Sequence, residues 1–128
     1  MQSSDNCEIT NKTKGKLPSL PFVSIKNKVL GEKYDLSVVF VTPKESRKIN
    51  FKYRKIDSPT NILSFPLSKN SGEIFLELTK IKKDAPKFGM KSPEFLKYLF
   101  IHGLLHLKGF KHSDTMETEE KRILKFFS

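Results

Sequence analysis

The sequence predicts an α/β or α+β fold, a single domain with one small mixed sheet packed by helices, and three observations support this prediction. A length of 128 residues suits one domain, 1–128, that buries a core of its own. Segments rich in β-branched and aromatic residues alternate irregularly with segments of helical character. One segment near the C-terminus is apolar on nearly all sides, which predicts a helix at the centre of the fold.

Breaker residues and hydrophobic spacing define the elements of the first half. These elements are a loop over 11–21, a short amphipathic helix over 22–30 that ends at Gly31, a strand over 34–42 and a helix over 43–54. Thr42 and Pro43 form a plausible N-cap and N1 pair for that last helix, which presents basic residues.

The second half predicts a short strand over 60–65, a second strand over 72–78, a polar helix or loop over 80–89, a central helix over 92–108 and a last helix over 115–127. The central helix has signals at both ends. Ser92 is the expected N-cap, Pro93 occupies N1, and Gly109 follows the last turn.

Composition narrows the class of function. The net charge is +10, with a pI near 9.7, and the excess lies in both halves. It indicates either a lysine-rich solvated surface or a polyanionic partner, and charge alone does not choose between RNA, DNA, anionic lipid and no partner. No apolar run is long enough for a membrane span, and the N-terminus lacks the pattern of a secretory leader. The only cysteine, Cys7, cannot form an internal disulfide, which suits a reducing cytoplasm.

All three histidines lie within FIHGLLHLKGFKH, at positions 102, 106 and 112. His102 and His106 share one face of the predicted helix, and a turn at Gly109 can bring His112 back to the same point. Three imidazoles with an open fourth position are typical of a catalytic zinc site. The alternative, two hydrogen-bonded core histidines and one surface histidine, must explain two polar rings on the most apolar helix.

The histidine spacing also matches the metzincin protease pattern H-E-x-x-H-x-x-G-x-x-H. Gly103 stands where those proteases carry the general-base glutamate, so peptide hydrolysis would lack its proton acceptor. Glycine within a helix is unfavourable, which predicts close approach of another backbone or of a bulky substrate. Phosphodiester chemistry suits such a metal site on a basic protein better than proteolysis.

Two motifs resemble those of a known family. HGLLHLKGFKH resembles H-G-x-L-H-L-x-G-Y-D-H, and FKYRKIDSPTNILSFP resembles Y-R-x-x-D-x-P-T-D-V-L-S-F-P, the two signatures of the YbeY family of bacterial rRNA-maturation endoribonucleases. GEI at 72–74 and the pair Met116 and Glu120 also fall where that family has similar residues. The resemblance runs from about residue 34 to the C-terminus, and residues 1–33 match only loosely.

The resemblance implies a zinc-dependent, single-strand-directed endoribonuclease that acts in rRNA maturation (16S rRNA 3′ end processing) and small-subunit ribosome quality control. Its implied partners are ribosomal RNA, the small subunit and assembly factors in the cytoplasm, with no membrane or DNA. The metal ligands carry over to His102, His106 and His112, with one zinc ion per chain. The functionally important arginine carries over to Arg54, where a guanidinium can contact a phosphate; the alternative is a surface arginine that is solvated or paired with Asp57.

Two positions depart from the family pattern. Lys111 and Asn61 stand where the family has aspartate, so the site is more positive, and at position 111 a possible acceptor for a histidine ligand is lost. Two other functions stay open at this point. One is a non-catalytic zinc-bearing ribosome-assembly factor, and the other, which Gly103 disfavours, is a metalloprotease-like hydrolase.

Overall fold

A computed structural model describes residues 6–128. Residues 1–5, which open the N-terminal stretch considered above for a leader, lie outside this range. The elements in chain order are β1 (Cys7–Asn11), α1 (Phe22–Leu30), β2 (Asp35–Phe40), α2 (Pro43–Arg54), β3 (Ile62–Ser68), β4 (Ser71–Leu76), α3 (Leu78–Asp84), a 3₁₀ turn (Ala85–Phe88), α4 (Ser92–Lys108) and α5 (Asp114–Phe126). No helix within 6–128 is both long and apolar enough to cross a membrane.

The four strands form one mixed sheet in the order β1-β2-β4-β3. β2 runs parallel to β1 and β4, whereas β3 is antiparallel to β4 and lies at the edge of the sheet. The predicted α+β class with one mixed sheet is therefore confirmed. β1 was not predicted, and β3 extends past Pro66, where the sequence predicted its end.

Helix α4 lies at the centre of the fold, as predicted. Its buried residues include Phe95, Phe100, Ile101 and Leu104, each no more than 1% exposed, and it packs against α1, α5 and β3. The full burial of such side chains is the main favourable term in folding. The histidine-bearing end of α4 is therefore held by the core.

Two details of the helix ends matter. Thr42 caps α2 as predicted, because its hydroxyl accepts from the Glu45 N–H while the Glu45 carboxylate accepts from the Thr42 N–H. The prediction of Ser92 as the N-cap of α4 is wrong: Lys91 takes that position and makes no side-chain cap, and Ser92 is already helical. Pro93 and Glu94 then open the first turn, where a missing N–H and a negative charge are both tolerated.

Candidate metal centre

The three histidines meet at one point. Helix α4 presents His102 and His106 on successive turns, and His112 lies in the connection to α5. Their ring centroids are 4.6 Å, 4.7 Å and 5.0 Å apart, and one nitrogen of each lies within 4.8 Å of the others. The convergence that the spacing predicted is present, and these residues can hold a metal ion.

The turn after α4 is what brings His112 back. Gly109 has a φ of 108°, in the left-handed region, where a residue with a Cβ is strained. Its N–H donates to the carbonyl of His106 at 3.0 Å, and the N–H of Phe110 donates to the carbonyl of Leu105 at 3.0 Å. These two bonds close the end of the helix and reverse the chain.

Two acceptors orient the rings on α4. Nδ1 of His102 donates to the carboxylate of Glu120, a residue of α5 that is 4% exposed. Nδ1 of His106 donates to the carbonyl of Phe110 at 3.1 Å. Each ring therefore carries its proton on Nδ1 in the neutral form, and Nε2 is left as a free lone pair.

These lone pairs provide a test of whether the donor set fits a metal. Nε2 of His102 and Nε2 of His106 are 3.1 Å apart, so two lone pairs face each other, an arrangement that repels without a cation and that a cation stabilises. Tetrahedral zinc with bonds of about 2.05 Å needs about 3.3 Å between ligand nitrogens. Burial, and then the electrostatic interaction with His102, lower the pKa of His106, which favours the neutral ring that a metal requires. The residues therefore fit a zinc-like ion.

A cleft of about 560 Å³ opens over the histidines, and Arg54 lines it together with His102, His106 and His112. The sequence left open an ion pair between Arg54 and Asp57. In the structure Asp57 instead pairs with Arg47, at 2.6 Å and 3.1 Å. Within residues 6–128 no side chain or carbonyl accepts a hydrogen bond from Arg54, so its guanidinium is available to an anion in the cleft.

The floor of the cleft explains Gly103. A Cβ at this position would lie 2.9 Å from Cδ1 of Ile62 and 3.3 Å from Cδ1 of Ile74, and the Ser64 hydroxyl donates to the Gly103 carbonyl at 3.0 Å. The close approach predicted at Gly103 is present, but side chains of β3 and β4 make it, rather than a backbone or a substrate. Side chains of the sheet thus fill the space that a side chain at position 103 would need.

The two departures from the family motifs have different surroundings. The amide of Asn61 donates to the carboxylate of Asp84 at 3.0 Å, so it ties the start of β3 to α3. Lys111 is exposed, and the acceptors of the two α4 histidines are Glu120 and the Phe110 carbonyl. The loss of an aspartate at 111 therefore leaves both of these rings with an acceptor.

Sequence reasoning did not assign a role to Glu120. A signal was present, because Glu120 shares the face of α5 that also carries Met116 and Ile123, and all three are buried. An acidic residue on the apolar face of an amphipathic helix needs a buried partner. That partner is a histidine of the metal centre.

Sequence and structure comparisons relate this chain to known proteins. A sequence model of the family described as Endoribonuclease YbeY matches residues 3–128. The protein of that name from Campylobacter jejuni is 37% identical over an alignment of 107 residues that covers 77% of this chain and 79% of the relative. The one from Phytoplasma mali is 34% identical over an alignment of 96 residues that covers 73% of this chain and 65% of the relative. A protein from Thermotoga maritima, solved in solution, matches with a TM-score of 0.66 and 26% identity over 93% of this chain and 87% of its own. The chain belongs to the Endoribonuclease YbeY family.

Proposed function

We propose that this protein is a zinc-dependent endoribonuclease that cleaves single-stranded RNA, with ribosomal RNA as its substrate. The observation that carries the proposal is one cleft that holds both three histidines able to bind a metal ion and Arg54, which has no hydrogen-bond partner within residues 6–128. Relatives at 34–37% identity are named as endoribonucleases. The net charge of +10 favours a polyanionic substrate.

Each residue of the site has a separate task. Arg54 binds the phosphate with its planar fork and stabilises the charge that develops on it. His102, His106 and His112 hold the ion, while Glu120 keeps the proton of His102 on Nδ1 and fixes the ring. When bound, zinc supplies Lewis acidity toward a phosphoryl oxygen or a water molecule. Gly103 lets α4 approach Ile62 and Ile74 of the sheet closely, and β3 lines the cleft beside it.

We further propose that the biological substrate is the 3′ end of 16S rRNA and that the protein takes part in quality control of the small ribosomal subunit. Family membership supports both proposals, and the net charge of +10 suits an RNA substrate. In this proposal the protein acts in the cytoplasm, and its partners are the small ribosomal subunit and the assembly factors of that subunit.

The test is incubation of the metal-loaded protein with a single-stranded RNA and with the same sequence as a duplex, followed by chemical identification of the new ends. We expect cleavage of the single strand, loss of cleavage in excess chelator and recovery with added zinc. A protein that contains zinc and binds RNA, but leaves every strand intact, would support a non-catalytic assembly factor instead.

A further inference from the structure

An exposed tyrosine stands beside the phosphate-binding arginine. Tyr53 precedes Arg54 in the last turn of α2 and is 58% exposed. Exposed aromatic residues that occur singly are normal on protein surfaces, so exposure alone indicates nothing. What distinguishes Tyr53 is its partner.

The ring of Tyr53 contacts Phe65 of β3, with centroids 4.8 Å apart and an angle of 48° between the planes. Phe65 in turn contacts Phe75 of β4 edge-on, at 6.0 Å, so Phe65 is fixed from both sides. Phe65 also lines the metal cleft. A supported aromatic surface therefore begins at the cleft and ends in solvent at Tyr53.

Positive charge surrounds this surface. The ammonium of Lys52 lies 5.2 Å from the centroid of the Tyr53 ring, and Arg54 and Lys55 follow directly in the chain. Bases of single-stranded RNA stack on aromatic side chains while cations neutralise the adjacent phosphates. A duplex cannot use such a surface, because its bases are already stacked on one another.

We propose that Tyr53, supported by Phe65, is a stacking surface for one unpaired nucleobase of the RNA whose phosphate Arg54 binds. The inference rests on the proposed function and deepens it, since it assigns the preference for single strands to a particular side chain. Tyr53 is then a binding residue, and Phe65 is a positioning residue that holds it.

The experiment measures binding separately from cleavage. A short single-stranded RNA carries the fluorescent base 2-aminopurine at successive positions, and the full chain is titrated in metal-loaded form and again in excess chelator. One position should be strongly quenched by the wild type. Tyr53→Ala should weaken binding about 5- to 150-fold, the range of one stacked base, and abolish that quenching, whereas Tyr53→Phe should bind within about twofold of the wild type.

The matched control is Phe51→Ala, because Phe51 is equally exposed, at 53%, but lies two positions earlier on α2 and so on another face. It should bind RNA like the wild type. Removal of the base at the quenched position should weaken RNA binding by the wild type as much as Tyr53→Ala does. The same removal should weaken RNA binding by Tyr53→Ala only slightly further. Melting temperatures show that each variant is folded.

Three results would overturn the inference. If Tyr53→Ala binds RNA as tightly as the wild type, RNA binding does not depend on a base stacked on Tyr53, and the stacking surface is refuted. Equal losses in Phe51→Ala and Tyr53→Ala would indicate a general effect of α2. Additive losses from Tyr53→Ala and base removal would place the base elsewhere. A wild type that binds no RNA would instead refute the proposed function and the inference with it.

Discussion

The contact between Glu120 and His102 gives the sharpest prediction about the metal centre. Glu120 is 4% exposed, and its carboxylate is the acceptor of the His102 Nδ1 proton. A bound zinc ion would withdraw electrons from the imidazole and would strengthen this bond, which is assisted by the carboxylate charge. Removal of the carboxylate should therefore weaken the bound state.

The magnitude follows from the bond that is lost. A hydrogen bond to a charged group contributes about 1.5–3 kcal/mol, and loss of such an orienting partner typically costs 10- to 100-fold in metal affinity. We expect Glu120→Ala to bind zinc about 10- to 100-fold more weakly than the wild type. Glu120→Gln keeps an acceptor oxygen without the charge, so its loss should be smaller, near the lower end of the range.

The assay is competition for zinc against a chelator of known affinity, with the melting temperature of each metal-free variant as the check on folding. Glu119→Gln is the control, because Glu119 is the neighbouring residue and pairs with Arg122 on the surface. It should bind zinc like the wild type. Equal zinc affinity in wild type and Glu120→Ala would refute the role of Glu120, and an equal loss in the control would show that only net charge matters.

Four further predictions test the site and its support. Purified protein should hold close to one zinc per chain by atomic absorption, and His106→Ala should lose most of it; similar metal contents would exclude this site. Arg54→Ala should retain the zinc content and melting temperature of the wild type but lose RNA cleavage. Arg54→Lys should recover little of the cleavage rate because the fork geometry is gone. The control Arg47→Ala breaks only a surface ion pair and should cleave RNA normally. Gly103→Leu should lower the free energy of unfolding by about 1–3 kcal/mol in urea titrations, because it overpacks the contact between α4 and the sheet; unchanged stability would contradict that contact. Burial raises the pKa of Asp84, but hydrogen bonds from two lysines and an amide outweigh burial and hold the pKa below its ordinary value. The wild type should therefore have a higher free energy of unfolding than Asp84→Asn, with the full difference above about pH 3.9 and its loss as the pH falls through the lower pKa of the folded state. A difference in the free energy of unfolding that does not depend on pH would refute this.

Local signals were sufficient for most helices and for the histidine cluster. The four-residue spacing of His102 and His106, and the glycine that ends α4, are properties of neighbouring residues, and the structure preserves them. The exact residues at which helices and strands begin and end are less predictable, because neighbouring residues compete for the same terminal position. Lys91 rather than Ser92 precedes the first turn of α4, and β3 continues through Pro66 because pairing with β4 extends beyond the proline.

Features set by distant contacts were not predictable in the same way. β1 is five residues long and becomes a strand by pairing with β2, for instance Ile9 with Val38, so its own composition carries little signal. The order of strands in the sheet has the same origin. The function of Glu120 depends on where α5 packs against α4, and the partner of Asp57 depends on which arginine of α2 faces it.

The position of β3 has a consequence for solubility. An edge strand that borders an open cleft offers unpaired backbone groups to any other extended chain, and such edges promote self-association. Pro66 removes one N–H from this edge, and the irregularity between Pro66 and Ser68 breaks the regular spacing of the rest. Leu67 beside the proline is 64% exposed, so without the proline β3 would pair more readily with an extended segment of another chain. The proline lets the cleft remain open to a ligand while it discourages the edge from recruiting another copy of the chain.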